Sequence, residues 1–176
     1  FDVICDGKFY AHLKLSVFGK HNTLNALAAA GSGWMLGVSG EDAANGLATF
    51  TGAGRRMERK GTYNGAPVFD DYAHHPGELS CLIDAVRTQG YKRVVVAFQP
   101  HTYTRTKALF DDFVEQLKKP DVLLLAEIYA ARERNTIGIS SRDLAGRIPG
   151  AIYCETLQDV TAALSQIAQP GDLLIT

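Results

Sequence analysis

The sequence predicts an α/β fold: a mostly parallel sheet with helices on both faces, preceded by a shorter segment of another domain. Three observations predict it. From Pro67 onward, strand-length apolar runs alternate with helix-length stretches whose apolar residues recur at i, i+3, i+4 and i+7. The runs Val94 to Phe98 and Val122 to Ala126 do not alternate with polar residues, as expected of strands covered on both faces. The helices are closed by residues that cannot continue them, at Gln89-Gly90, Lys119-Pro120, Pro149-Gly150 and Gln169-Pro170-Gly171. Right-handed crossovers between such strands give a parallel sheet.

Taken in order, Phe1 to Val17 reads as extended chain turning at Asp6-Gly7. Asn22 to Gly37 reads as an Ala-rich helix with Asn22 as its N-cap and Asn25 on the same face one turn later. A shorter helix covers Glu41 to Phe50. Thr51-Gly52-Ala53-Gly54 reads as a glycine-rich hinge, which divides the chain into 1–53 and 54–176. Strands follow at Pro67 to Asp71, Arg93 to Phe98, Val122 to Ile128, Ala151 to Cys154 and Asp172 to Ile175. Helices lie between them at Gly77 to Thr88, Arg105 to Lys118, Ser141 to Ile148 and Thr156 to Ala168. Each long helix carries an apolar stripe, for example Leu79, Leu82, Ile83 and Val86 in the first and Val160, Ala163, Leu164 and Ile167 in the last.

Composition excludes several classes. Hydrophobic residues are 46% and charged residues 21%, ordinary globular values. No apolar run approaches the roughly 20 residues of a membrane helix, and the N-terminus lacks a secretory pattern. A cytoplasmic protein without a membrane partner is expected. With 18 Lys plus Arg against 19 Asp plus Glu, the net charge of -1 gives no general attraction to nucleic acid. Cys5, Cys81 and Cys154 form no CxxC pair, which argues against a disulfide framework or a cysteine zinc site. Cys81 is expected to pack as a small core residue. Oligomeric state is left open.

The densest polar cluster is Asp70-Asp71-Tyr72-Ala73-His74-His75-Pro76, directly after a strand. Open α/β sheets bind ligands at such strand ends. In a parallel sheet this segment meets Gln99 to Arg105 and Tyr129 to Asn135, bringing His74, His75, His101, Arg105, Arg132 and Arg134 to one edge. Phosphate or carboxylate suits such a cationic concavity. Plainer readings stand beside this one. Asp70 and Asp71 are equally suited to capping a turn, adjacent histidines diverge and often cap or pack, and Arg55-Arg56 by itself reads as an exposed basic pair. The same cluster also permits a nucleotide- or anion-binding module without chemistry. A third reading is a metal-dependent hydrolase using Asp71, His74, His75 and His101. There is no GxxxxGK[ST] segment.

Four motifs in order, Gly19-Lys20-His21-Asn22-Thr23-Leu24-Asn25-Ala26, Gly54-Arg55-Arg56-Met57-Glu58, Asp70 to Pro76, and Phe98-Gln99-Pro100-His101-Thr102-Tyr103-Thr104-Arg105-Thr106, resemble the Mur ligases. The match is best to the branch that joins L-alanine to UDP-N-acetylmuramate, with the branch that reattaches recycled peptides as the alternative. The resemblance implies the tail of a central ATPase domain followed by a Rossmann-like C-terminal domain that brings the amino acid, here stopping before its end. It implies ATP-dependent ligation through an acyl phosphate in peptidoglycan precursor synthesis, with ATP, Mg, UDP-N-acetylmuramate and L-alanine as partners. The Mg ligands are expected mainly in the central domain outside this chain, and the chain alone is expected to be inactive. By motif, Asn22 and Asn25 would contact adenine, Arg56 the phosphates and Asp71 the ribose. His74, His101 and Arg105 would face the substrate carboxylates or the alanine, and no metal ligand is assigned. Some members carry Arg where this chain has Thr102.

Overall fold

In the computed structural model, which describes residues 1–176, the chain divides between Gly54 and Arg55 into two units. In the first, β1 (Asp2–Cys5) and β2 (Lys8–His12) form an antiparallel hairpin. Asp6 and Gly7 turn it with φ of 48° and 73°, the conformation that matches strand twist in a two-residue loop. Helices α1 (Lys20–Met35) and α2 (Gly40–Ala48) complete the unit around Val3, Ala11, Leu13, Ala26 and Ala30.

The expected helix start at Asn22 is corrected. Gly19 at φ 99° turns the chain three residues earlier, so α1 begins at Lys20. Asn22 is therefore inside the helix, its Nδ2 donating to Phe18 O at 2.7 Å instead of its carbonyl capping the turn. The start of α2 is capped by Ser39, whose Oγ accepts from Asp42 N at 3.1 Å.

The second unit is built on β3 (Glu58–Tyr63), β4 (Ala66–Asp70), β5 (Arg93–Phe98), β6 (Val122–Ala126), β7 (Ile152–Cys154) and β8 (Asp172–Ile175). Their order is β3-β4-β8-β5-β6-β7, and every pair except β3–β4 is parallel. Between them run α3 (Pro76–Arg87), α4 (Tyr103–Ala108), α5 (Phe110–Leu117), α6 (Ser141–Ala145) and α7 (Leu157–Ile167). One sheet face, with Val95, Leu124 and Leu174, packs under Val160 of α7. The alternate residues face the other way, where Phe98 meets Phe113 of α5 at 5.7 Å between rings. This is the expected mostly parallel sheet with helices on both faces.

Several elements differ from expectation. The antiparallel edge strand β3 was not expected, because Glu58-Arg59-Lys60-Gly61-Thr62-Tyr63 is too polar to read as a covered strand. Its charges suit an edge, and the Asn64-Gly65 turn, with φ of 48° and 78°, is the signal that marks it. The single helix expected over Arg105 to Lys118 is two. Leu109 leaves helical geometry at φ -113° and ψ 25°, and Asp111 and Asp112 favour a fresh helix start in the next turn. Strand β6 ends at Ala126 and not at Ile128, because the Ile128 N–H donates to the Glu127 carboxylate at 2.7 Å instead of to a neighbouring strand. Cys81, expected in the core, is exposed on α3. No helix is long and apolar enough to cross a membrane.

Candidate functional site

Because β4, β8, β5 and β6 run parallel, their C-terminal ends share one edge of the second unit. A cavity of about 630 Å³ opens there. Its polar wall comes from the segments after β4, β5 and β6, and its apolar wall from Leu157, Val160 and Leu164 of α7.

Asp71 lines the cavity but is anchored to the backbone. One carboxylate oxygen accepts from Met57 N and the other from Ala73 N, both at 2.9 Å. Asp70 pairs with Arg55 Nε at 3.3 Å. The Arg55 guanidinium lies 4.5 Å over the Tyr72 ring, a cation–π contact. His74 Nδ1 sits 2.9 Å from Tyr72 O. A carbonyl only accepts, so Nδ1 carries a proton and donates it here, which leaves Nε2 as the ring nitrogen free for another partner. Its ring centroid is 6.4 Å from that of His101, which in turn is 5.5 Å from Tyr129. His101 and Tyr129 also form a parallel β-bridge, so the loops after β5 and β6 are joined at this point. His101 Nδ1 is buried without a hydrogen-bond partner.

The adjacent His75 does different work. It is the N-cap of α3: Gly77 N–H donates to its Nδ1 at 3.3 Å, and Glu78 accepts from the His75 N–H at 3.2 Å, closing a capping box. Glu78 also accepts from His74 N at 3.0 Å and from Arg56 at 3.4 Å. Burial pushes the Glu78 carboxyl up, but the His74 N–H and the nearby His74 and Arg56 outweigh it and hold the group below the usual carboxylate range.

The expected edge of three histidines and three arginines is corrected. The cavity wall carries His74 and His101 with a single arginine, Arg55, beside Asp70 and Asp71. His75 is turned onto its helix, and Arg132 and Arg134 are exposed on the loop after β6. Arg56 turns to Glu78. Arg105 lies in α4 off the cavity wall, its Nη1 buried without a partner. Asn22 and Asn25 belong to the first unit, where Asn25 Nδ2 donates to Asn22 Oδ1 at 3.4 Å. The metal reading is not supported by the geometry. Asp71 faces backbone N–H groups and His75 caps a helix, and no three His, Cys, Asp or Glu side chains converge to hold an ion.

Three features escaped the sequence reading. Arg55 was passed over for its neighbour; at a backbone φ of 55° it lines the cavity, held by Asp70 and the Tyr72 ring. Glu127, at the end of β6, gathers Ser140 Oγ at 2.6 Å, Ile128 N at 2.7 Å, Tyr153 Oη at 2.8 Å and Ser141 N at 3.1 Å. Burial pushes its carboxyl up, yet these donors hold it below the ordinary value, so it fastens β6, β7 and α6 together as a carboxylate. Thr102 stands at φ 69° and ψ 143°. For a β-branched residue that is a strained conformation, costing on the order of 1–3 kcal/mol.

Residues 55–176 match the family described as Mur ligase, glutamate ligase domain. The chain belongs to the Mur ligase family. Among curated Mur ligases, it is 42% identical over 180 aligned positions to the UDP-N-acetylmuramate–L-alanine ligase of Caldanaerobacter subterraneus subsp. tengcongensis, covering 100% of this chain and 39% of that protein. It is 46% identical over 168 positions to the enzyme of the same name from Agathobacter rectalis, covering 93% of this chain and 37% of that one. The crystal structure of the UDP-N-acetylmuramate-alanine ligase MurC of Thermotoga maritima superposes with a TM-score of 0.79 at 26% identity, over 97% of this chain and 37% of that structure. The chain thus spans about two fifths of the length of the curated relatives it matches.

Proposed function

We propose that this chain is part of an ATP-dependent ligase that joins L-alanine to UDP-N-acetylmuramate through an acyl phosphate. The observation that carries the reading is identity of 42% along the whole chain to a ligase of that name. Arg55–Thr176 then acts as the domain that brings the amino acid, and Phe1–Gly54 as part of the central ATPase domain. Ten large apolar side chains exposed on the first unit, among them Phe9, Met35 and Leu36, suit a surface that packs against further protein.

In this reading the amine of alanine attacks an acyl phosphate, and the collapsing intermediate releases phosphate and leaves an amide. The work of the protein is alignment and charge neutralisation. His74 Nε2 and His101 Nδ1 are set 6.4 Å apart between ring centres on the same wall, where they can receive hydrogen bonds or a proton from the ammonium of the amino acid. Arg105, off the cavity wall but with an unpartnered Nη1, is assigned to a substrate carboxylate as the motif implies. Each Asp71 oxygen keeps a second lone pair for a ribose hydroxyl. Arg56, held only loosely by Glu78 at 3.4 Å, can exchange that partner for phosphate. Asn22 and Asn25 supply amides of the kind that read an adenine edge. ATP supplies the phosphoryl group. Since no side chains here converge to hold an ion, magnesium ligands are assigned to the remainder of the protein and no step is routed through magnesium.

The test is ADP and phosphate release by the complete protein with ATP, UDP-N-acetylmuramate and each candidate amine. Alanine-dependent release with both nucleotides present is expected. Release that requires a peptide, and not alanine, would transfer the chain to a peptide-reattaching ligase, and no release with any amine would leave the binding-module reading.

A further inference from the structure

Helix α4 starts without a cap of its own: Thr102, at the N-cap position, makes no side-chain capping bond. The cap arrives from another loop. Glu133, 29 residues beyond Thr104, accepts from Thr104 N at 2.9 Å and from the Thr104 hydroxyl. Two donors from the first turn, both on Thr104, therefore meet one carboxylate. Those hydrogen bonds, the Thr104 hydroxyl foremost, hold the Glu133 carboxyl below its ordinary value, so it is an anion at neutral pH.

The residue this carboxylate borders is Thr102, in the left-handed region at φ 69°. A strained conformation persists only where its surroundings over-determine it. Thr102 N donates to Tyr129 O at 2.9 Å and Thr106 Oγ1 donates to Thr102 O at 2.7 Å, while Glu133 fixes the backbone and hydroxyl of Thr104 two residues on. On either side of Thr102 stand the two groups with buried, unpartnered nitrogens, His101 immediately before it and Arg105 one turn after it. A peptide rotation at Thr102 changes the separation and direction of these two side chains.

We propose that Glu133 is a positioning residue: by capping α4 from the loop after β6 it holds Thr102 in its left-handed conformation and so sets His101 and Arg105 for the incoming amino acid. The first half is a statement about the fold; the second rests on the ligase reading above. Glu133 itself does not touch the substrate.

The experiment uses the complete protein carrying Glu133→Ala, Glu133→Gln, Thr102→Gly, and Glu133→Ala with Thr102→Gly. Glycine adopts φ 69° without strain, so it removes the need for the clamp. Glu133→Ala is expected to raise KM for L-alanine about 10-fold while KM for ATP stays within about twofold, because a small misplacement of aligned groups is costly. Glu133→Gln, which preserves shape and one acceptor, is expected to raise it less. Adding Thr102→Gly to Glu133→Ala is expected to bring KM for alanine back to within about threefold of wild type, and the thermal midpoint of the double variant is expected to fall by less than the sum of the two single changes. Unchanged kinetics in Glu133→Ala, a uniform loss that glycine does not rescue, or additive midpoints would each overturn the proposal. If the wild-type protein shows no alanine-dependent ADP release, the ligase reading is what has failed, and the midpoints alone decide whether Glu133 and Thr102 are coupled.

Discussion

The two ends of the parallel sheet are built on opposite plans. At the N-terminal end, Arg93 and Asp172 form a two-pronged ion pair, Nε to Oδ1 at 2.8 Å and Nη2 to Oδ2 at 2.7 Å. Arg93 also donates to Ile167 O at the end of α7, and Asp172 accepts from Gln169 N. Asp121 accepts from Val94 N at 2.8 Å. At the C-terminal end, His101 Nδ1 and Arg105 Nη1 are buried without partners and Thr102 is strained. Buried polar groups are ordinarily satisfied. The contrast teaches that the charged groups at the N-terminal end are closed on one another, whereas at the C-terminal end two ring and guanidinium nitrogens stay open where a ligand is proposed to supply the missing partner.

Replacing one member of each set should widen that contrast. Asp172→Ala leaves Arg93 facing an uncharged, 2% exposed position and is expected to cost about 3 kcal/mol of stability in urea unfolding. A loss under about 1 kcal/mol would mean the N-terminal clamp is not a clamp. At the other end, Arg105→Ala is expected to lower alanine-dependent phosphate release at least ~10-fold, through loss of a charge-assisted bond, with little change in the urea midpoint. Equal kinetics with and without the guanidinium would remove Arg105 from the site.

Smaller effects sharpen the distinction within one motif. His74 and His75 are neighbours with different duties, so His75→Ala is expected to cost about 1 kcal/mol by uncapping α3 while KM for alanine is unchanged. His74→Ala is expected to raise KM with little loss of stability. Reversed outcomes would exchange the two roles. The smallest effect is in acid. The Arg93 hydrogen bond holds the Asp172 carboxyl below the ordinary carboxylate range. Its contribution is therefore present above an unfolded value of about 3.9 and is lost as pH falls through the lower folded value. Asp172→Asn should flatten the decline of stability below about pH 4; an unaltered slope would place the acid sensitivity elsewhere.

Much of this was legible before any coordinates. The periodic stripes of α3 and α7 and the unbroken apolar runs of β5 and β6 located themselves, because each is a local pattern repeated at the period of its own element. Strand β3 was lost because its stability comes from pairing with β4 and not from apolar residues of its own. The break at Leu109 was lost because the apolar stripe continues across it into Phe113, Val114 and Leu117. At the site, His74 and His101 were legible from their place after strands. Arg55 and Glu133 were not: one depends on contacts with Asp70 and Tyr72, the other on a hydrogen bond spanning 29 residues.

The sequence by itself determined the apolar strands β4 to β8 and the striped helices α3 and α7, that these strands run parallel, and that the polar segments follow their C-terminal ends, since hydrophobic period and turn chemistry act over a few residues. Tertiary structure alone decided that the last strand, β8, enters between β4 and β5, that Arg55 and not Arg56 lines the cavity, and that a carboxylate from the loop after β6 caps α4. These outcomes depend on hydrogen bonds and packing between residues far apart in the chain, whose energies exist only once the sheet has assembled.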